Sequence, residues 1–247
     1  MKIAVITGGS RGIGAATAIA AARRGMGVIL TYNQNPDAAE SVVERIKADG
    51  GKAVALQLDV SDSKSFPAFV ASVKETLRTV WQQETIAGLV NNAGYGLFNP
   101  IETVDEAQFD GLFNVLLKGP FFLTQALLPL LGRDSSIVNL TSATTRLAFA
   151  GVAPYAAFKG GLEVLSRYMA KEFGERGVRV NTVSPGPIRT ELGGGLTPDF
   201  EAMLAAQTAL GRVGEPEEVA NVIAMLLSSD ATWINAQSIE VAGGYNV

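Results

Sequence analysis

The run Ile3-Ala4-Val5-Ile6-Thr7-Gly8-Gly9-Ser10-Arg11-Gly12-Ile13-Gly14 decides the fold. Its first four residues form a short strand with no polar face, as expected of a strand covered on both sides. The glycines that follow permit a sharp turn and a close backbone approach, and the alanine-rich residues 15–22 then read as a helix. A helix that starts on such a turn offers free N–H groups and the positive end of its dipole, an arrangement suited to a pyrophosphate. The spacing is G-x-x-x-G-x-G rather than the commoner G-x-G-x-x-G.

Outward from this turn the chain alternates between two periods. Short β-branched runs fall at 2–7, 27–32, 52–58, 87–91, 135–141, 178–184 and 237–241. Amphipathic stretches lie between them at 12–24, 37–49, 62–80, 105–131, 153–176 and 216–227. Strand–helix alternation builds βαβ units, with a parallel sheet between two helix layers. The expectation is one α/β domain of the Rossmann type, a three-layer sandwich spanning 1–247. The glycine-rich and proline-rich stretch 185–198 is long for a plain connection, so 185–215 reads as a substrate loop or lid.

Composition excludes several classes. The 247 residues are 47% hydrophobic and 18% charged, which rules out a disordered chain. Neither cysteine nor histidine is present, so disulfide frameworks, Ser-His-Asp and Cys-His mechanisms are excluded, and no metal site is expected. A net charge of −4 without a basic cluster argues against a nucleic-acid surface. The apolar stretch 115–131 is broken by Lys118, Gly119 and Pro120 and reads as too short to span a bilayer. The chain enters a strand at once, with no secretory segment before it, so a cytoplasmic location is expected. The low charge content points to surface buried between subunits.

Tyr155 and Lys159 stand four residues apart, on one face of a helix. An ammonium beside a phenol favours the phenolate and is expected to lower its pKa, which suits a proton donor or acceptor. Ser142, thirteen residues earlier at a strand end, can polarise a carbonyl. Asn91-Asn92-Ala93-Gly94 ends the fourth strand, and Asn114 lies on the helix that follows. The second strand ends in Thr31-Tyr32-Asn33-Gln34, without the acid that holds a ribose 2′-hydroxyl in NAD sites. Asp37 follows Pro36 at a helix start. With Arg11 available for a 2′-phosphate, these residues favour NADP(H) over NAD(H). Asp59, ending the third strand, can accept from an adenine amino group.

Together these motifs resemble the short-chain dehydrogenase/reductase family. The likeness rests on Thr7-Gly8-x-x-x-Gly12-x-Gly14, Asn91-Asn92-Ala93-Gly94, Asn114, Ser142, Tyr155-x-x-x-Lys159 and Pro185-Gly186, and covers essentially the whole chain. It implies a seven-stranded parallel sheet ordered 3-2-1-4-5-6-7, and hydride transfer between a nicotinamide and a carbonyl or alcohol carbon. Tyr155 would be the general acid or base, and Lys159 would lower its pKa and bond the ribose. Ser142 would orient the carbonyl, and Asn114 would hold a relay water. Cofactor contacts would come from Gly8, Ser10, Arg11, Gly12, Ile13, Gly14, Asn33, Asp59, Val60, Asn91, Ala93, Gly94, Pro185, Gly186, Ile188 and Thr190. Asn181 would have a structural role. A homotetramer packed through 105–131 and 153–176 is also implied.

Within the family, Arg11, Arg176-Gly177-Val178-Arg179-Val180-Asn181 and Leu210-Gly211-Arg212-Val213-Gly214-Glu215-Pro216 resemble 3-oxoacyl-[acyl-carrier-protein] reductases. Arg133 and Arg176 sit at offsets suited to an acidic carrier protein, although an arginine near a helix-ending glycine also has an ordinary capping role. Two places depart from that branch: Val241-Ala242-Gly243-Gly244 lacks the usual acid, and Asn235-Ala236 replaces a Thr-Gly pair. The substrate cleft is expected from 143–152 with Tyr95, Leu97 and Phe98, and with Ser142, Thr144, Arg146 and Tyr155 as contacts. This mostly apolar lining fits many ketones. A non-catalytic dinucleotide sensor is the remaining alternative, disfavoured because all four catalytic positions are filled.

Overall fold

The computed structural model describes residues 1–247. Seven strands form one sheet: β1 (Ile3–Ile6), β2 (Gly27–Tyr32), β3 (Ala53–Gln57), β4 (Ile86–Asn91), β5 (Leu131–Leu140), β6 (Arg179–Pro185) and β7 (Ser238–Val241). Every pairing is parallel, in the order β3-β2-β1-β4-β5-β6-β7. The chain winds outward from β1 to one edge, then returns to β4 and winds to the other. A crevice therefore opens at the C-terminal ends of β1 and β4, the usual ligand position in such sheets.

The central strands β1, β2 and β4 are largely apolar because alternate side chains enter two different cores. Ile3, Val5, Ile29, Leu89, Ile137 and Val180 face a layer made by α3 (Phe66–Thr76), α5 (Gly119–Leu127) and α6 (Ala153–Phe173). Ala4, Ile6, Val28, Leu30, Val90 and Val138 face α1 (Gly12–Arg23), α2 (Pro36–Ala48) and α8 (Pro216–Leu227). One buried polar chain crosses the first core. Asn91 Nδ2 donates to Thr124 Oγ1 (3.1 Å) and Asn139 Oδ1 (2.7 Å), and Asn139 Nδ2 donates to Ser166 Oγ (2.8 Å). Such groups are tolerated inside because each has a partner.

The structure departs from the sequence reading in three places. The expected helix 105–131 is divided: α4 (Glu106–Phe113) runs into a π turn at Asn114–Lys118 before α5. Pro120 has no N–H for the Leu116 carbonyl, and the ladder shifts so that Gly119 N–H reaches Asn114 O. By length and composition Glu106–Leu130 passes as a membrane span; here Leu112, Leu116, Leu123 and Leu127 are packed inside the protein. β5 begins earlier than expected, and its register against β4 shifts between Ile86 and Gly88. Finally, a helix absent from the sequence reading, α7 (Pro198–Ala206), lies within 185–215. Its start signals were in view: Thr197 accepts from Phe200 N–H, Pro198 takes the first helical position, and Asp199 and Glu201 follow.

Candidate active site

The loops beyond the strand ends enclose a cleft of about 540 Å³, a size typical of small-molecule sites. One wall is fixed by Thr7 at the end of β1. Its Oγ1 donates to Val90 O (3.2 Å) and accepts from the N–H groups of Asn92 and Ala93 (3.0 Å each). Asn92 Nδ2 in turn donates to the carbonyls of Thr7 (2.8 Å) and Gly8 (3.1 Å). These bonds press the glycine turn against Ala93. Gly8 has φ +63, and a Cβ there would stand 2.9 Å from Ala93 Cα, so only glycine fits. α1 then begins with no side-chain cap and no acid in its first turn. Its N–H groups are left for an anion, as a pyrophosphate requires.

Next to this turn the cleft is lined by Tyr32, Asn33, Gln34, Asn35 and Ala38, with no acid among them. Asn35 caps α2 by accepting from Ala38 N–H (3.0 Å). Asp59 and Val60 also line the cleft, and Asp59 Oδ1 holds Ser61 through its N–H (2.9 Å) and hydroxyl (2.7 Å). Arg11 donates to Glu191 at 3.1 Å, both side chains being more than two-thirds exposed (71% and 78%). An exposed pair of this kind contributes about 0–1 kcal/mol, so a phosphate can replace the carboxylate.

Three side chains meet at the inner end. Ser142 follows β5 and accepts from Thr144 N–H at 3.2 Å. With one lone pair engaged, its hydroxyl proton is free to be donated into the cleft. Tyr155 and Lys159 stand one turn apart on α6, with Lys159 Nζ 5.8 Å from the Tyr155 ring centre. Lys159 Nζ also donates to Leu140 O at 2.6 Å, tying α6 to the strand that carries Ser142. Burial lowers Lys159 to about 8. Burial raises the Tyr155 phenol, and the Ser142 hydroxyl partly opposes that rise. The phenol is therefore held above its ordinary value, not below it as expected, because loss of water around it dominates.

The far wall is formed by Pro185, Gly186, Ile188, Thr190, Glu191 and Leu192, and Ser10, Gly12, Ile13, Gly14 and Gly94 complete the near one. Tyr95 stands at the rim. Other expected residues lie elsewhere. Asn91 shares its face of β4 with Leu89 and points into the core, not the cleft. Asn114 Oδ1 accepts from Lys118 Nζ (3.2 Å), and its side chain does not line the cleft. Leu97 packs beside Leu112, Leu116 and Phe158. Thr144 has its hydroxyl buried without a partner. Arg146 turns away to grip Glu240 (2.7 and 3.0 Å), so the expected substrate cation is internally paired. Arg133 and Arg176 lie by the N-terminal ends of β5 and β6, the edge of the sheet opposite Ser142. The six residue-to-residue steps from Ser136 to Ser142 alone span roughly 20 Å of extended chain, and Arg176 donates to Leu128 O at 2.8 Å. Asn181 donates to Ile234 O and accepts from Gln237 N–H, a structural role.

Sequence reasoning missed Asn92, Thr141, Glu191 and Leu192, all of which line the cleft. The period of two along β4 carried the signal for Asn92, since Asn91 and Leu89 must share a face. Nothing local pointed to Glu191 or Leu192, which arrive through a loop.

Comparison with known proteins adds an independent observation. Residues 8–246 match the family described as Enoyl-(Acyl carrier protein) reductase. The chain is 40% identical over 246 residues to an uncharacterized oxidoreductase of Methylorubrum extorquens, covering 98% of this chain and 97% of the relative. It is 37% identical to the 3-oxoacyl-[acyl-carrier-protein] reductase FabG of Staphylococcus epidermidis, covering 98% of both. Among solved structures, the angucycline C-6 ketoreductase LanV with bound NADP superposes with a TM-score of 0.95 at 32% identity, covering 99% of this chain and 95% of that one.

Proposed function

This chain belongs to the short-chain dehydrogenase/reductase family, and on that premise we propose that it is an NADP(H)-dependent oxidoreductase acting on a carbonyl or secondary-alcohol carbon. The observation that carries the reading is the meeting of Ser142, Tyr155 and Lys159 beside an uncapped helix N-terminus in one cleft. When bound, the nicotinamide supplies or accepts the hydride. The residues do the rest. The Ser142 hydroxyl donates to the carbonyl oxygen and fixes its direction. Tyr155 gives its proton to that oxygen as negative charge develops there. Lys159 would stabilise the phenolate left behind and bond the ribose; Asn114, on the turn packed against α6, would have to leave Lys118 to hold the water through which the proton returns. Arg11 holds the 2′-phosphate in place of Glu191.

The substrate reading is a 3-oxoacyl thioester, supported by the whole-length similarity to FabG. A bulky apolar ketone is the second reading, supported by Tyr95 on the cleft lining and by the similarity to LanV; Phe98 and the stretch 143–152, expected to line the cleft, stand outside it. Docking of an acyl carrier protein does not follow from Arg133 and Arg176, which within one subunit face away from the cleft. We also propose a homotetramer built on the exposed Phe121, Phe122 and Tyr168, which a monomer or dimer mass by light scattering would exclude.

The test is NADPH consumption by purified protein with a short 3-oxoacyl thioester, set beside a panel of polycyclic ketones and with NADH as control. Preference for the thioester supports the first reading, and turnover on polycyclic ketones alone replaces it with the second. No turnover on any carbonyl overturns both. Arg11→Ala should weaken NADPH binding about tenfold and leave NADH unchanged; equal affinity of the native protein for both nucleotides would remove the 2′-phosphate assignment.

A further inference from the structure

Residues Ala242 to Asn246, just before the C-terminal Val247, touch both the loop that follows Ser142 and the exit of α7. The chain here lies along the exit of α7. Ala209 N–H donates to Gly244 O (3.1 Å), Leu210 N–H to Gly243 O (3.1 Å) and Asn246 N–H to Gln207 O (2.9 Å). Thr208 and Tyr245 form an antiparallel bridge. The approach is close enough that a Cβ on Gly244, where φ is +75, would stand 2.7 Å from Ala209 Cβ.

Tyr245 is the centre of this contact. It is 4% exposed, although it stands two residues from the end of the sequence. Its ring packs in one apolar cluster with Ala143, Leu204 and Val213 and stacks on Phe149 at 6.0 Å. Ala143 follows Ser142 directly, whereas Leu204 belongs to α7. Its hydroxyl donates to Gln207 Oε1 at 3.1 Å. Arg146 closes the arrangement from the other side. Its guanidinium grips Glu240 on β7 and also donates to Tyr245 O at 3.0 Å. One tyrosine thus joins the loop that carries Ser142 to the helix of the segment 186–215.

We propose that Tyr245 is a positioning residue for substrate binding: seated between the Ser142 loop and α7, and held there by Arg146 and Glu240, it sets the closed position of the 186–215 segment over the cleft. It touches neither substrate nor cofactor and acts through Ala143 and Leu204. The inference rests on the reading that Ser142 meets the substrate carbonyl. Removing the ring frees α7 to move outward while leaving the glycine turn and Lys159 undisturbed.

The experiment compares Tyr245→Ala, Tyr245→Phe and Glu240→Gln with the native chain. Three readouts are used: kcat and KM on the best ketone found, NADPH affinity by fluorescence titration, and the rate of limited proteolysis within 186–197 well below the melting temperature. Tyr245→Ala should raise KM about tenfold, with NADPH affinity within twofold of native and cleavage accelerated at least fivefold. Tyr245→Phe keeps the packing and should restore KM to within twofold. Glu240→Gln leaves the cluster intact, so it folds even if Tyr245→Ala does not, and should raise KM about threefold. Native KM in all three variants, or a lowered melting temperature with native KM and native cleavage, overturns the proposal. If the native protein turns over no ketone, the proposed function fails. The cleavage rates then decide the proposal alone: native rates in Tyr245→Ala and Glu240→Gln overturn it.

Discussion

The two walls of the cleft are built by different means. The inner wall, from Thr7 through Asn92 to Ser142 and Lys159, is held by short bonds between buried groups, such as Lys159 Nζ to Leu140 O at 2.6 Å. The outer wall, 186–215, is seated at its far end by the Tyr245 cluster and is otherwise tied by exposed charges. Arg189 donates to Glu201 (2.7 Å) and Glu215 (3.0 Å), and Arg212 donates to Glu218 (2.7 Å). Gly193, Gly194 and Gly195 all have positive φ in this segment. Donors and acceptors placed in advance stabilise developing charge without reorganising, so the inner wall suits the chemical step. Surface ion pairs contribute little each and are screened by salt, so the outer wall can open to admit a ligand. The cleft joins a fixed chemical face to a movable binding face.

If that division holds, damage to the inner wall should be felt in kcat. The largest effect is expected for Tyr155→Phe, which removes the transferred proton but keeps the ring. Its kcat should fall by about 10²–10⁴-fold, with NADPH affinity by fluorescence titration within threefold of native; a smaller fall would assign the proton to another group.

Lys159 sharpens the comparison through pH. Its folded pKa is about 8 against an ordinary value of 10.5. Between those values the unfolded chain holds more protons than the folded one, so this group makes stability rise with pH across that window and contributes no slope below it. Lys159→Met should flatten the slope and raise the melting temperature by a few degrees at pH 7, because an uncompensated buried charge is removed. Its kcat should still fall at least about a hundredfold. Thermal melts from pH 7 to pH 10 check the sign, and an unchanged slope in the variant would show that another group carries it.

The smallest effect belongs to the outer wall. Raising salt from 0.05 to 0.5 M, or making Arg189→Ala, should raise KM about twofold and leave kcat unchanged, since only weak exposed pairs are lost. A fall in kcat of the same size would mean that the two walls are not separate.

Much of this was legible in the sequence. The double-sided apolar strands and the Gly8 to Gly14 turn predict the sheet and its crevice. Tyr155 and Lys159 at helical spacing mark the chemistry. The errors have physical causes as well. Arg146 reads as a substrate cation because nothing near it in sequence balances its charge. Its partner Glu240 lies 94 residues away. α7 was hidden by the glycines before it, although Thr197 and Pro198 signalled its start.

Local period, backbone freedom and side-chain chemistry are enough to place the layers, the phosphate turn and the residue types that move a proton. Which asparagine faces the cleft, which arginine is already paired and where Tyr245 is buried emerge only once the chain has folded. Those outcomes depend on contacts between segments far apart in the chain, and on how burial shifts the charge of groups such as Lys159, which no local pattern encodes.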